Sequence, residues 1–395
     1  MNGGKIIIDT TEQPQGHAMG TLNRRRMLQI AAAAALMTEN SLMTRTQAQG
    51  SENTQLPDGL IIAAETRQMI WNAVAVDGDR VFVAGPRWAG ANGPAVALID
   101  GKDGLIPYPD ASWNAWQPGA DVTKTFVNVN AIHRDDHNCL WVIDTGSPTF
   151  GGDPLPGAAK AVRIDLATNR IDRIYPFGPR AALPGSYVDD IRFHGDHAYL
   201  TDAGRAGLIV LDLRSGETRR VLDGAPSVTA PTDRPVAMDG EIVRMPDGSP
   251  LRVNSDPLEV SPDGRYLYFG SLHGPWSRIE TRLLDDPGIP PSELATNVEA
   301  WADLPPVGGT AMARDGTLYF TDLANEALKK RAPDGTITTV VQDPRLHWAD
   351  APALAGGFIW LPVPQLDRLP LFHKGTSKVA WPIRLYRYKV DAQAN

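Results

Sequence analysis

Six short apolar runs recur along the chain, each behind a turn built from Gly, Asp or His: RVFVAGP (80–86), CLWVIDTG (139–146), AYLTDAG (198–204), YLYFGSL (266–272), TLYFTDL (317–323) and FIWLPVP (358–364). Ahead of each turn lies a second strand-like run: AVAV, AIHR, IRF, LEV, AMA and PALA in chain order. The copies are spaced at intervals of roughly forty to seventy residues, and 3.6-residue periodicity is scarce. One β unit repeated six times predicts an all-β chain, a six-bladed β-propeller whose four-stranded blades surround a central channel. The inner strands of such a ring are covered on both sides, which explains why they are almost continuously apolar. The 37 glycines and 33 prolines punctuate these runs, as many turns require. The repeats fill residues 60–390, so 51–395 reads as a single domain. The gaps at 147–160 and 223–253 read as insertions on one face.

Residues 1–50 read as an address. Arg24 and Arg25 precede Met27-Leu28 and an alanine-rich run, NRRRMLQIAAAAALM (23–37), which resembles a twin-arginine export signal. The apolar run is too short to span a bilayer, so no membrane span is expected. Thr46-Gln47-Ala48 offers small residues for cleavage, and Met19 is an alternative start. The expected destination is bacterial periplasm or medium, reached through the twin-arginine translocase. The net charge of −8, with no basic stripe beyond the leader, argues against nucleic-acid binding. The single cysteine, Cys139, rules out an internal disulfide framework and reads as a small buried hydrophobe.

Several longer blocks carry a more specific likeness. GDRVFVAGPRWAGANGPAVALID with LIPYPD, NVNAIHRDDHNCLWVIDTG, AAKAVRIDLATNRIDRIYPF, YVDDIRF with AYLTDAGRAGLIVLDLRSGETRRVL, DPLEVSPDGRYLYFGSLHGPWSRIET, and DPRLHWADAPAL with GFIWLPV together resemble the yellow/major royal jelly protein family. The resemblance covers most of the mature chain and implies the propeller fold. The family includes insect proteins of pigmentation, among them dopachrome-converting tautomerases, salivary members that bind biogenic amines, and bacterial members. This chain lacks the paired cysteines of the insect pattern and carries the twin-arginine leader.

The residue opening the first strand of each blade forms a second repeat. These positions are Asn72, Asn130, Asp190, Asp256, Gly309 or Thr310, and Asp350, and they should crowd one mouth of the channel. Five of the six are Asn or Asp, where a purely structural strand would prefer Val or Ile. Converging carboxylates without a basic partner repel one another and favour a bound cation. Hard oxygen donors suit Ca²⁺, or Mg²⁺ or Mn²⁺, and no organic cofactor is expected. Asn130, Asp190, Asp256 and Asp350 are the candidate metal ligands. Gluconolactonase and senescence-marker-type propellers are similar in architecture and hold a divalent ion on a comparable ring. The alternatives are a metal-free polar ligand pocket and structural Asx turns. Asp189 is expected on the opposite side of its strand as a surface or turn acid. Asp144, Asp202 and Asp322 recur after their strands and read as a repeated turn or interblade hydrogen bond.

Trp71, Asn72, His347 and Trp348 are candidate ligand-binding residues, and Asp256 and His273 are candidate proton-transfer groups. The chain has no GxSxG elbow, HExxH, Walker A or dinucleotide fingerprint. Two functions follow for a small-molecule pocket. One is a metal-assisted lactonase, esterase or tautomerase, and the other is a non-catalytic binding protein for aromatic or amine ligands. The expected oligomeric state is a monomer.

Overall fold

Adjacent apolar runs pair as antiparallel hairpins because the Gly/Asp turns between them reverse the chain in a few residues. In a computed structural model, which describes residues 56–90 and 92–390, these hairpins extend to six four-stranded sheets. The protein is a six-bladed β-propeller. The leader expected at residues 1–50 lies outside the described residues. The innermost strands are Ala73–Asp77, Val129–Arg134, Val188–His194, Ser255–Val260, Val307–Met312 and Ala353–Ala355, in blades 1 to 6. Chain order runs outward through blades 1 to 5. In blade 6 the first described strand, Leu60–Thr66, forms the outer edge and pairs with the last, Ile383–Lys389, so these two strands close the ring.

Burial follows radial position. The second strand of blade 2, Cys139–Asp144, is buried at every residue, whereas the outermost strand, Arg170–Pro176, has Tyr175 as its one buried residue. Packing between blades supplies the core: Leu140, Val142, Phe82 and Val129 belong to one cluster across blades 1 and 2. Cys139 is 3% exposed, and burial pushes its thiol pKa up. Trp71 is fully buried against blades 1 and 6, and its indole donates to the Arg384 carbonyl at 3.1 Å. It is a core residue, in place of the ligand wall expected from its position. No helix among the described residues is long and apolar enough to cross a membrane.

Asp144, Asp202 and Asp322 do form a repeated device. Asp144 accepts from the Val127 and Asn128 amides at 2.8 and 2.9 Å, and from buried Lys160 Nζ at 2.7 Å. Asp202 accepts from the Tyr187 amide at 2.8 Å and from Arg220 at 2.6 Å. Asp322 pairs with Lys329 at 2.7 Å. In blades 2 and 3 the amides so held lie just ahead of the residue that faces the channel mouth, so this device positions the site.

Candidate functional site

The innermost strands enter the channel through a bulge. In blade 2, Val129 pairs with Asp144 and Ala131 with Ile143, leaving Asn130 without a partner. The same one-residue slip separates Val188 from Ile191, Ser255 from Leu258 and Val307 from Thr310. A bulge re-aims side chains at a sheet end. The residue after the last paired one turns into the cavity: Asn130, Asp189, Asp256 and Gly308, joined by Asn72 of blade 1 and Asp350 of blade 6.

Two of the expected positions are therefore displaced by one residue. Asp189, not Asp190, faces this mouth, because the slip puts Asp189 where Asn130 and Asp256 stand in their blades. Asp190 accepts from Arg192 Nη1 at 2.7 Å, and Arg192 grips Glu259 through two bonds of 2.9 and 3.0 Å. Thr310 donates to the same Glu259 at 2.9 Å. That closed cluster lines a second cavity, at the other end of the channel. Blade 5 offers Gly308 to the ring and not Gly309 or Thr310. A Cβ on Gly308 would stand 2.3 Å from the Ala349 carbonyl oxygen, so the neighbouring blade excludes a side chain there.

The mouth is a cavity of about 450 Å³. Its floor is the ring, and its walls include Trp88, Phe150, Tyr187, Trp348 and Phe372. The insertions at 147–160 and 223–253 both reach it, through Phe150 and through residues 245–253. The segment after Val363, whose contribution the sequence did not signal, adds Leu366 and Phe372. Asn130 Oδ1 accepts from Tyr187 Oη at 2.9 Å and from Asn72 Nδ2 at 3.2 Å, and Asn130 Nδ2 donates to Asp189. Both lone pairs of that oxygen are engaged, so Asn130 orients Asp189 and offers no free oxygen to a metal. Asn72 Oδ1, by contrast, is buried with no hydrogen-bond partner. The Asp256 carboxylate accepts no hydrogen bond from any described residue.

Electrostatics matches this geometry. Burial, then the Asp256 and Asp190 charges, push the Asp189 pKa well up, against the Asn130 hydrogen bond. Burial, then Asp350 and Asp190, do the same for Asp256. Burial also raises Asp350 well above the ordinary range, opposed by the Ala351 amide. Arg252, the one basic residue on this lining, directs its guanidinium to the Pro231 and Thr232 carbonyls. The floor is thus a set of acceptors without a countercharge, and it fits a cation. Among the described residues, the one trio of His, Cys, Asp or Glu donors all within 4.8 Å is Asp239, Glu326 and His347, away from the ring. A cation on the ring would therefore use the Asn72 oxygen and water besides the carboxylates, as Ca²⁺ commonly does.

His347 is fully engaged elsewhere. Its Nδ1 meets Glu326 at 2.6 Å and its Nε2 meets Asp367 at 2.9 Å. Burial opposes its charge, but Asp367 and Glu326 outweigh burial and raise its pKa. With Arg368 3.3 Å from the same Nδ1, this cluster is an ion-pair clamp on the 366–368 segment rather than a metal cradle or ligand wall. His273 is buried too: Nδ1 donates to the Arg234 carbonyl at 2.6 Å and Nε2 accepts from the Val253 amide at 3.1 Å. Burial lowers its pKa. Both nitrogens hold the 223–253 insertion, which leaves none for proton transfer to a ligand. Of the expected residues, the structure brings together Asn72, Asn130, Asp256, Trp348 and Asp350.

Residues 127–347 match the family model described as "Major royal jelly protein". No protein of curated function matches the chain. Among solved structures, virginiamycin B lyase from Staphylococcus aureus is 12% identical, with 84% of this chain and 99% of that chain covered and a TM-score of 0.48. A gluconolactonase from Xanthomonas campestris is 12% identical, with 84% and 89% covered and a TM-score of 0.47.

Proposed function

Taking as premise that the chain belongs to the major royal jelly protein family, we propose that its central pocket holds a divalent cation and acts on a small carbonyl-bearing ring compound, as a lactonase, esterase or tautomerase. The observation that carries this reading is the floor of acceptors: Asp189, Asp256, Asp350 and the partnerless Asn72 oxygen meet no protein cation. These four residues would hold the ion. A hard cation there would polarise a carbonyl oxygen and lower the pKa of bound water. Asp256, with no protein donor on its carboxylate, is the group that accepts a substrate proton. The Tyr187–Asn130 hydrogen bonds hold Asp189 in register, and the aromatic walls orient a flat ring and exclude water.

The same walls favour a second reading. An aromatic ammonium would place its charge on the carboxylates and its ring against Trp88 and Trp348, as a binding protein needs. Elemental analysis of the purified chain and titration with Ca²⁺ separate the two. A stoichiometric ion, together with lactone or ester turnover that stops in chelator, supports the first. Amine binding that survives chelation, with no stoichiometric ion, replaces it with the second. The leader supports export by the twin-arginine route to the periplasm or medium, where Ca²⁺ is abundant enough for a weak extracellular-type site. The chain acts there as a monomer; sedimentation of the purified protein and fractionation of expressing cells test the state and the location.

A further inference from the structure

We infer that Thr201, on the second strand of blade 3 and outside the pocket lining, is the positioning residue that sets the spacing between Asp189 and Asp256. Its hydroxyl is buried and bridges two blades. Thr201 Oγ1 accepts from the Asp190 amide at 3.2 Å and donates to the Asp256 carbonyl at 2.7 Å. The Asp190 amide belongs to the peptide joining Asp189 to Asp190, and the bulge has removed its ladder partner. One hydroxyl therefore fixes the backbone of both neighbouring ring acids. The other blades lack this link. The residue opposite the bulge is Ile143 in blade 2 and Gly270 in blade 4, neither with a side-chain donor. Blade 5 has Thr321, which accepts from the Gly309 amide at 3.0 Å but returns its hydroxyl to Gly309 itself and not to the next blade. The interblade bridge thus stands between the two adjacent ring positions that both carry carboxylates.

This inference rests on the cation reading above. Groups that orient metal ligands through hydrogen bonds typically change affinity by about 10–100-fold when removed. Calorimetric titration with Ca²⁺ alone on the full chain is the test, with Thr201→Val, Thr201→Ser and Thr321→Val. Thr201→Val should weaken Ca²⁺ binding by roughly tenfold or more, Thr201→Ser should restore it, and Thr321→Val should weaken it less than Thr201→Val. Melting in chelator reports folding separately, and Thr201→Ser keeps the hydroxyl if the valine variant folds poorly. Equal affinity of wild type and Thr201→Val, or a loss that serine does not recover, overturns the inference and leaves the cation site standing. A wild-type chain that binds no Ca²⁺ removes the cation site and this inference with it.

Discussion

Asp256→Asn separates the two roles that the ring acids combine: a cost to the empty fold and a gain on cation binding. Asp256 is pressed by burial and by the Asp350 and Asp190 charges, and its folded pKa is raised. A carboxyl with a raised folded pKa gives stability that is complete below its unfolded pKa and is lost as pH rises through the folded one. The cation-free wild type should therefore lose stability from the ordinary carboxylate range upward. Asn keeps the shape and removes the charge. In chelator, the variant should melt above the wild type at pH 8, and the difference should shrink towards pH 4.

Calcium should reverse the order. At a concentration 100 times its Kd, a ligand that binds the folded state alone adds about 2.7 kcal/mol. For a domain of roughly 335 residues the unfolding entropy is about 0.7 kcal/mol/K, so the melting point should rise by about 4 °C. A hundredfold loss of affinity in Asp256→Asn leaves about 0.4 kcal/mol at the same calcium concentration, under about 1 °C. Scanning calorimetry at pH 4, 6 and 8, with chelator or calcium, reads all of this. A cation-free variant that melts no higher than wild type at pH 8 would refute the claimed repulsion. An equal calcium gain in both proteins would place the ion away from Asp256.

The bulge yields an equally direct contrast, because Asp189→Asn should abolish Ca²⁺ binding in calorimetric titration whereas Asp190→Asn should retain it. Lys160→Met should destabilise the fold by about 3–5 kcal/mol in urea titrations, since it strands the fully buried Asp144 without its ion-pair partner. The Cys139 thiol should resist alkylation in the native protein and react on unfolding, because it is buried and its pKa is raised.

The blades were legible because each is a local hairpin, with its turn, its apolar run and its spacing all in one window of sequence. Asn72, Asn130, Asp256 and Asp350 were legible for the same reason, each opening a recognisable strand. Asp189 was not. Alternation assigns adjacent residues to opposite faces, and Asp189-Asp190 offered two acids to choose between. One local signal does pick the correct residue: Val129-Asn130, Val188-Asp189 and Val307-Gly308 each put the ring position directly after a valine that pairs with the terminal Asp of the next strand. His273, His347 and Trp71 show the opposite failure. Their nearness to strand mouths in sequence was real, but their partners, Arg234, Asp367 and Arg384, lie 20 or more residues away, where no local pattern can reveal them.

The two adjacent acids also explain how one channel can hold two electrostatic environments. Asp190, the second residue of the same bulge, is paired with Arg192, which Glu259 also grips, so two acids share one cation at that end. Asp189, one residue earlier, points into a cavity where its neighbours are Asp256 and an amide, and nothing there cancels its charge. A regular strand would send these side chains to opposite sheet faces. The bulge instead sends both into the channel, towards different ends. Selection for a stable propeller alone would favour pairing Asp189 and Asp256 as well, since a lysine in the ring would remove their repulsion. A fold that shares Arg192 between Asp190 and Glu259 at one end, and leaves Asp189 and Asp256 without a cationic side chain at the other, would concentrate any affinity for a cation at one mouth, the mouth that carries the aromatic walls.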